Sequence, residues 1–358
     1  MPTPKHGTKP EPSKHPLRNK RAFQNALIRW FETHGKDYPW RQTTDPWAIL
    51  VSEIMLQQTQ VSTVLGNQEN HARGGHFARF IALYPCPRAM AEASEQEILK
   101  AWEGLGYYRR ARNLHAAARA ITHEYNGVFP LSHDLILALP GIGPYTAGAV
   151  SSFAYNDAQA IVDANVARVF SRLFDFQERI DTGRGQKQLW QWARELVSNS
   201  NPRAYNSALM ELGQTHCSNR SPDCMLCPVR HFCQSSKPES LPVKKAATKA
   251  TRTTEHALFC QDAHSRILLS KEPEGKRREG MWHLPRRQQS DTQDLPVTLS
   301  TKYTITRYQV TLHIHRCHPD AVTLESHDQW HTIETLENLP MPSPDRRALE
   351  HLIQEAQA

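Results

Sequence analysis

The chain has 358 residues, 39% of them hydrophobic, and a formal net charge of +7. That length accommodates two ordinary domains with packed cores, and the absence of any apolar run of about eighteen residues excludes a membrane-spanning helix. The charge is uneven: residues 1–254 carry 31 Lys/Arg against 21 Asp/Glu, or +10, whereas residues 255–358 carry 12 against 15, or −3. A positive first part suits a phosphate-bearing partner.

Residues 1–21 are rich in Lys, Pro and His and lack an apolar stretch. They read as a disordered basic tail, not a secretory signal. From residue 22 to 236 the periodicity is helical, with apolar residues three and four apart in Ala22–His34, Glu95–Leu105 and Gln188–Val197. Asn67–His76, rich in His, Asn and Gly, reads as a surface loop between helices. Residues 237–254 read as a linker. Beyond it the character turns to α+β: His256–Cys260, Arg266–Ser270, Tyr303–Thr306 and Gln309–His315 have strand character, and a closing helix is expected over Asp345–Glu355.

Several segments carry chemistry. In Val51-Ser-Glu-Ile-Met-Leu-Gln-Gln-Thr-Gln-Val61, helical spacing sets Glu53 beside Ile49, Leu50 and Leu56. Burial there would raise its pKa and suit it to carry a proton, or else it is a solvated helix-edge residue. Gln57, Gln58 and Thr59 can hydrogen-bond base edges. Leu105-Gly-Tyr-Tyr-Arg-Arg-Ala-Arg-Asn113 interleaves aromatics with cations. Tyr107 can enter a base stack while the arginines hold phosphates, the alternative being tyrosines packed in a core.

Leu139-Pro-Gly-Ile-Gly-Pro-Tyr-Thr-Ala147 joins two helices, with Pro144 at the first position of the second. Gly141 and Gly143 allow a tight hairpin, Ile142 can plug the gap, and backbone N–H groups at the helix start can face a phosphate. Asp163, in Ile161-Val-Asp-Ala-Asn-Val166, is placed to cap the following helix. A capped carboxylate stays ionised and can stabilise a sugar oxocarbenium ion. Cys217, Cys224, Cys227 and Cys233 follow as C-x6-C-x2-C-x5-C. Four thiolates so closely spaced suit zinc or an iron–sulfur cluster. Cys86, Cys260 and Cys317 are scattered, which fits a reducing cytoplasm better than a disulfide framework.

Together these motifs resemble the iron–sulfur helix–hairpin–helix DNA glycosylases. SEIMLQQTQV, GLGYYRRARNL and VDANV narrow the resemblance to the adenine DNA glycosylases of the MutY type, strongly over about residues 22–235. The resemblance implies a mostly α catalytic part, a six-helix barrel with a [4Fe–4S] cluster domain, followed by an α+β Nudix-like domain that recognises 8-oxoguanine. It implies that adenine mispaired with 8-oxoguanine or guanine is flipped out of duplex DNA and removed hydrolytically, by a monomeric enzyme of the cytoplasm and nucleoid. Glu53 would protonate the base and Asp163 would stabilise the oxocarbenium ion, with Asn165 and Tyr145 organising the site. Trp40 and Arg41 would line the adenine pocket. Gln58 and Tyr107 would intercalate, with Gln57, Thr59 and Leu105 nearby, and Gly141 and Gly143 would grip phosphate. The four cysteines would hold the cluster, ordering a loop that includes Arg220 and Arg230.

Tyr145 stands where related glycosylase–lyases place a nucleophilic Lys, so a monofunctional enzyme is expected. A G·T mismatch thymine glycosylase of the same superfamily shares Tyr and Asp at these places but lacks the glutamate at the Glu53 position and the C-terminal domain. A non-catalytic mismatch-binding protein would lack Glu53 or Asp163. The family's Phe-Ser-His loop is matched here by Arg307-Tyr-Gln-Val-Thr311, with Tyr308 as the aromatic and Gln309 supplying hydrogen bonds. No glutamate-rich magnesium box occurs in residues 255–358, which disfavours nucleotide hydrolysis.

Overall fold

The computed structural model describes residues 17, 19–66, 74–246 and 248–357; most of the basic tail and residues 67–73 of the His-rich insertion lie outside them. Backbone contacts divide the chain into two compact units. The first runs up to Thr44 and resumes over Gly148–Lys245; the second comprises Asp45–Ala147 with Ala246–Ala358. Among the described residues no helix is long and apolar enough to cross a membrane.

Helix α1 (Lys20–His34) opens the first unit, capped by the Asn19 side chain on Ala22 N–H. In the second unit, α2 (Pro46–Leu56) follows Asp45, whose carboxylate accepts from the N–H groups of Trp47 and Ala48. Every residue from Trp47 to Met55 is buried, as expected of a helix apolar on all sides at the centre of its unit. Around it lie α3 (Val61–Leu65), α4 (His76–Leu83), α5 (Pro87–Glu92), α6 (Glu95–Ala101), α7 (Arg109–Glu124) and α8 (His133–Ala138). The helix expected over Glu95–Leu105 stops at Ala101, because Gly104 (φ +97°) and Gly106 (φ +65°) turn the chain into a left-handed loop. The division between units falls within α9 (Pro144–Tyr155).

The first unit then continues through α10 (Ala164–Leu173), α11 (Gly183–Leu196) and α12 (Pro202–Gln214) into the cysteine loop. Phe23 of α1 is fully buried, with the rings of Tyr205 and Phe232 edge-on to it at 6.4 and 5.7 Å. Gly213 lets α12 approach α10 closely: a Cβ there would meet the Asn165 Cβ at 2.7 Å.

The rest of the second unit is α+β. Strands β1 (Thr251–Cys260), β2 (Ile267–Lys271), β3 (Trp282–His283), β4 (Arg286–Arg287), β5 (Val297–Ile305), β6 (Tyr308–Cys317) and β7 (Asp328–His331) form two sheets, ordered β4-β1-β6-β5 and β3-β2-β7. β1 runs parallel to β6, from Thr251 opposite Tyr308 to Cys260 opposite Cys317. It begins within the stretch whose composition reads as linker, because Thr251, Thr253 and Thr254 pair along β6; threonine suits a pleated ladder. Short helix α13 (Ile333–Leu336) precedes α14 (Ser343–Gln357), which covers a core of Phe259, Leu269, Leu312, Ile314, Leu349 and Leu352. Polar contacts tie this lobe to the helices of its own unit: Gln96 Nε2 donates to Gly280 O at 2.9 Å, and Arg346 Nε to Glu103 Oε1 at 2.8 Å.

Candidate active site

Glu53 is only 4% exposed, on the third turn of the buried α2. The Tyr145 hydroxyl, from the first turn of α9, donates to Glu53 Oε2 at 2.7 Å. The hairpin before α9 is closed by Ile142 N–H donating to Leu139 O at 3.1 Å, and Ile142 is buried as a plug. Its tightness resides in one glycine. Gly141 has φ +73°, and a Cβ there would lie 2.5 Å from the Asn113 Cβ, whereas a Cβ on Gly143 would meet nothing within 4 Å. Gly143 therefore leaves open space beside the N-terminus of α9, where backbone N–H groups favour an anion.

The QQTQ and LGYY segments are two loops of this same unit. Gln58 and Tyr107 are both exposed, and both hold left-handed backbone, at φ +57° and +49°. Such conformations are uncommon for residues with side chains and cost on the order of 1–3 kcal/mol. The three arginines after Tyr108 have different fates. Arg109 is exposed, Arg112 pairs with Glu95 at 2.8 Å, and Arg110 is buried with its guanidinium among backbone carbonyls. Arg110 is thus not free to hold a phosphate, contrary to the expectation for this basic run. Leu105 is buried, and Thr59 Oγ1 accepts from Arg110. Gln58 and Tyr107 line a cavity of about 880 Å³ whose opposite wall is Arg277, Tyr303, Thr304, Ile305 and Thr306. Tyr308 and Gln309 lie one turn further on and are not among its lining residues. Tyr308 stands under the Arg307 guanidinium at 5.2 Å, and Gln309 is exposed.

In the first unit Asp163 caps α10, accepting from Val166 N–H at 2.7 Å through Oδ1 and from Asn165 Nδ2 at 2.9 Å through Oδ2. Burial nevertheless holds its carboxyl above the usual range, the hydrogen bonds from Val166 and Asn165 and the Arg168 charge opposing it. The cap alone therefore does not set its ionisation; desolvation is the larger effect. Asn165 Oδ1 accepts from Arg168 Nη2 at 2.9 Å, and Arg168 Nε donates to Cys217 O at 2.8 Å. A continuous chain of hydrogen bonds thus runs from Asp163 to the cysteine loop. Trp40 is buried, with Tyr38 stacked at 5.2 Å. Arg41 lies over Phe31 and Tyr38 and donates to the fully buried Glu211 at 2.8 Å. Glu211 Oε1 has no partner among the described residues. Arg168 and Glu211 were not singled out by sequence reasoning, since each takes its meaning from partners distant in sequence.

None of the four cysteines of the loop is in a disulfide, and Cys217, Cys224 and Cys233 all lie close enough to Cys227 to act on its ionisation. Burial pushes the Cys227 thiol up to about 11, and Cys217, Cys233 and Cys224 add to the rise against a hydrogen bond from Val229 N–H. Burial also raises Cys233. Arg172 Nη1 donates to Cys217 Sγ at 3.3 Å. Among the described residues no three His, Cys, Asp or Glu side chains are grouped so as to hold a metal ion directly. Cys217, Cys227 and Cys233 are partly buried and Cys224 is exposed; a soft metal centre would require these thiols as thiolates.

The family model described as HhH-GPD superfamily base excision DNA repair protein matches residues 51–195. The adenine DNA glycosylase of Mycolicibacterium smegmatis is 41% identical over 206 residues, a match covering 57% of this chain and 67% of that protein. The chain belongs to the adenine DNA glycosylase family. The human adenine DNA glycosylase is 36% identical over 223 residues, covering 60% of this chain and 39% of that protein, so the chain spans well under half the length of this relative. Among solved structures, a thermostable thymine-DNA glycosylase is 30% identical with a TM-score of 0.53, covering 61% of this chain and 96% of that one. The family match spans α2 through α11, which includes Glu53, the hairpin and Asp163.

Proposed function

We propose that this adenine DNA glycosylase family member is a monofunctional base-excision enzyme that removes adenine mispaired with 8-oxoguanine or guanine in duplex DNA. The observation that carries the reading is Glu53, a carboxyl group buried in an otherwise apolar helix with the Tyr145 hydroxyl on it. A G·T thymine glycosylase of the superfamily lacks that glutamate, and a glycosylase–lyase would carry lysine in place of Tyr145.

In this reading the residues take the following roles. Glu53 delivers a proton to the departing adenine and then assists water; Tyr145 orients it and donates to its anion. Asp163, held by Val166 N–H and Asn165, presents a fixed carboxylate to the oxocarbenium ion as the glycosidic bond breaks. Trp40 and Arg41 line the adenine pocket. Gln58 and Tyr107 enter the stack around the orphaned base, with Gln57, Thr59 and Leu105 behind them, and the backbone at Gly141 and Gly143 receives phosphate. Cys217, Cys224, Cys227 and Cys233 would hold a [4Fe–4S] cluster, which would order the loop carrying Arg220 and Arg230 without taking part in the chemistry.

Residues 22–236 form the catalytic part, 237–250 the linker, and the part from β1 (Thr251–Cys260) onward a Nudix-like lesion-recognition domain. Its contact with the oxidised base is assigned to the β5–β6 hairpin, where Tyr303–Thr306 line the cavity shared with Gln58 and Tyr107 and Tyr308 and Gln309 follow. The enzyme acts as a monomer on DNA in the cytoplasm.

The test is single-turnover base release from 8-oxoguanine·A, G·A and G·T duplexes, with Asp163→Asn as control. Adenine release that is fastest opposite 8-oxoguanine and abolished in the variant is expected. Thymine release without adenine release would overturn the substrate, and undiminished release by Asp163→Asn would overturn the mechanism.

A further inference from the structure

The Arg110 guanidinium gives six hydrogen bonds, all to neutral oxygens on two separate segments. Nη1 donates to Ile54 O and Met55 O at 2.8 Å and to Gln57 O at 2.6 Å. Nη2 donates to Thr59 Oγ1 at 3.1 Å, Leu105 O at 3.0 Å and Gly106 O at 3.1 Å. The first segment is the C-terminal end of α2 and the loop after it; the second is the loop before α7. Burial lowers the Arg110 pKa to about 10, partly offset by Tyr107, which leaves it cationic at neutral pH. Arg110 also lies under the rings of Trp102 and Tyr107, each at 5.5 Å.

Two of these acceptors have special positions. Gln57 O belongs to the peptide that precedes Gln58, and Gly106 O to the peptide that precedes Tyr107. The orientation of a peptide unit sets φ of the residue that follows it. One guanidinium therefore fixes the two peptides that place Gln58 and Tyr107 in left-handed backbone. Such residues persist only where the surroundings over-determine them. Arginine suits the task because its planar fork presents fixed donors, which lysine cannot reproduce.

We propose that Arg110 is a positioning residue that makes Gln58 and Tyr107 a single preset pair, so that both wedges are lost together when it is removed. The inference rests on the reading that these two side chains enter the base stack. The consequence is that neither loop has an independent resting geometry. The bases around a mispair then meet both side chains already aimed, and ordering them costs no further entropy on binding.

The test uses the 358-residue chain with Arg110→Lys, which keeps the charge, and Arg110→Met, which keeps an unbranched stem without charge or donors. Amide hydrogen exchange of the free protein is the first readout. Faster exchange in both 56–60 and 104–108, with helices α7 and α9 protected as in the parent, is expected. Acceleration in one segment or in neither overturns the proposal. The second readout is 2-aminopurine fluorescence beside a mispair, for Gln58→Ala and Tyr107→Ala in the parent and in Arg110→Lys. In the parent, each truncation is expected to lower the unstacking equilibrium about tenfold, and in Arg110→Lys by less than about threefold, as coupled sites behave. Full additivity overturns the coupling. If the truncations leave unstacking unchanged in the parent while exchange rises in both segments, the intercalation reading fails and the clamp stands. Should Arg110→Met fail to fold, Arg110→Lys carries both measurements.

Discussion

Asn165 Nδ2 donates to Asp163 Oδ2 at 2.9 Å, while its Oδ1 accepts from Arg168. The amide is thereby locked with its donor toward the carboxylate, since only one orientation satisfies both neighbours. Asp163 keeps a hydrogen bond that favours its anion, although burial pushes its carboxyl above the ordinary range.

The pH dependence of base release follows from that balance. With Asp163 in its proposed role as an ionised carboxylate, activity is expected to fall as pH falls through its raised pKa, with the acid limb above the ordinary aspartate value of about 3.9. Removing the amide donor in Asn165→Ala raises that pKa further. The acid limb of the single-turnover profile is expected to move to higher pH, and an unmoved limb would detach Asn165 from Asp163 ionisation. Arg168→Gln frees the amide to turn over and is expected to shift the limb in the same direction.

Stability carries the opposite sign. A carboxyl whose folded pKa is raised favours the folded state when protonated, a contribution present below the unfolded pKa and lost as pH rises through the folded one. At neutral pH ionised Asp163 therefore costs stability. Asp163→Asn, which keeps an acceptor for Val166 N–H, is expected to lose base release while its urea midpoint at pH 7 stays level or rises. A clear fall in the midpoint would contradict the direction of the shift.

Tyr145→Phe removes the donor at 2.7 Å from Glu53. A hydrogen bond to a charged group contributes about 1.5–3 kcal/mol, so base release is expected to slow by about tenfold to a hundredfold, with DNA affinity little changed. Equal rates for the two proteins would mean that Glu53 is oriented by other contacts.

The two hairpin glycines separate stability from binding. Gly141→Ala places a Cβ against Asn113 at left-handed φ, costing at least about 1–2 kcal/mol in denaturant unfolding. Gly143→Ala meets no protein atom and is expected to unfold within about 0.5 kcal/mol of the parent yet bind duplex DNA more weakly. Unchanged affinity would remove this face of the hairpin from the phosphate contact.

Cys227→Ser tests the cluster. Loss of bound iron and of visible absorbance is expected, with weaker DNA binding and retained helix content from α1, α10 and α12. Iron retained at the parental stoichiometry would remove Cys227 from the ligand set.

Local signals were legible in the amino-acid order. Asp45 before an apolar run marks the start of α2, and Asp163 reads as a cap because an aspartate oxygen reaches the N–H three residues on. Ile142 reads as a plug because its place in the hairpin depends on neighbours within a few positions. The α+β character after residue 250 was also visible, since strand alternation and β-branched content are local.

What required the tertiary structure was the use made of buried charge. Arg110, in a basic run, looks like a phosphate contact; it is committed to carbonyls more than fifty residues earlier in the chain as well as to its own loop. Arg168 reaches Cys217 across 49 residues, and Arg41 reaches Glu211 across 170. The left-handed backbone of Gln58 and Tyr107 is likewise unreadable from residue type, because intrinsic preference opposes it and only packing can impose it. Periodicity and capping reveal which segments form helices and which carboxylates are fixed. Long-range burial decides which charged side chains meet DNA and which hold the backbone in place, because desolvation forces each buried cation to find acceptors wherever the fold brings them.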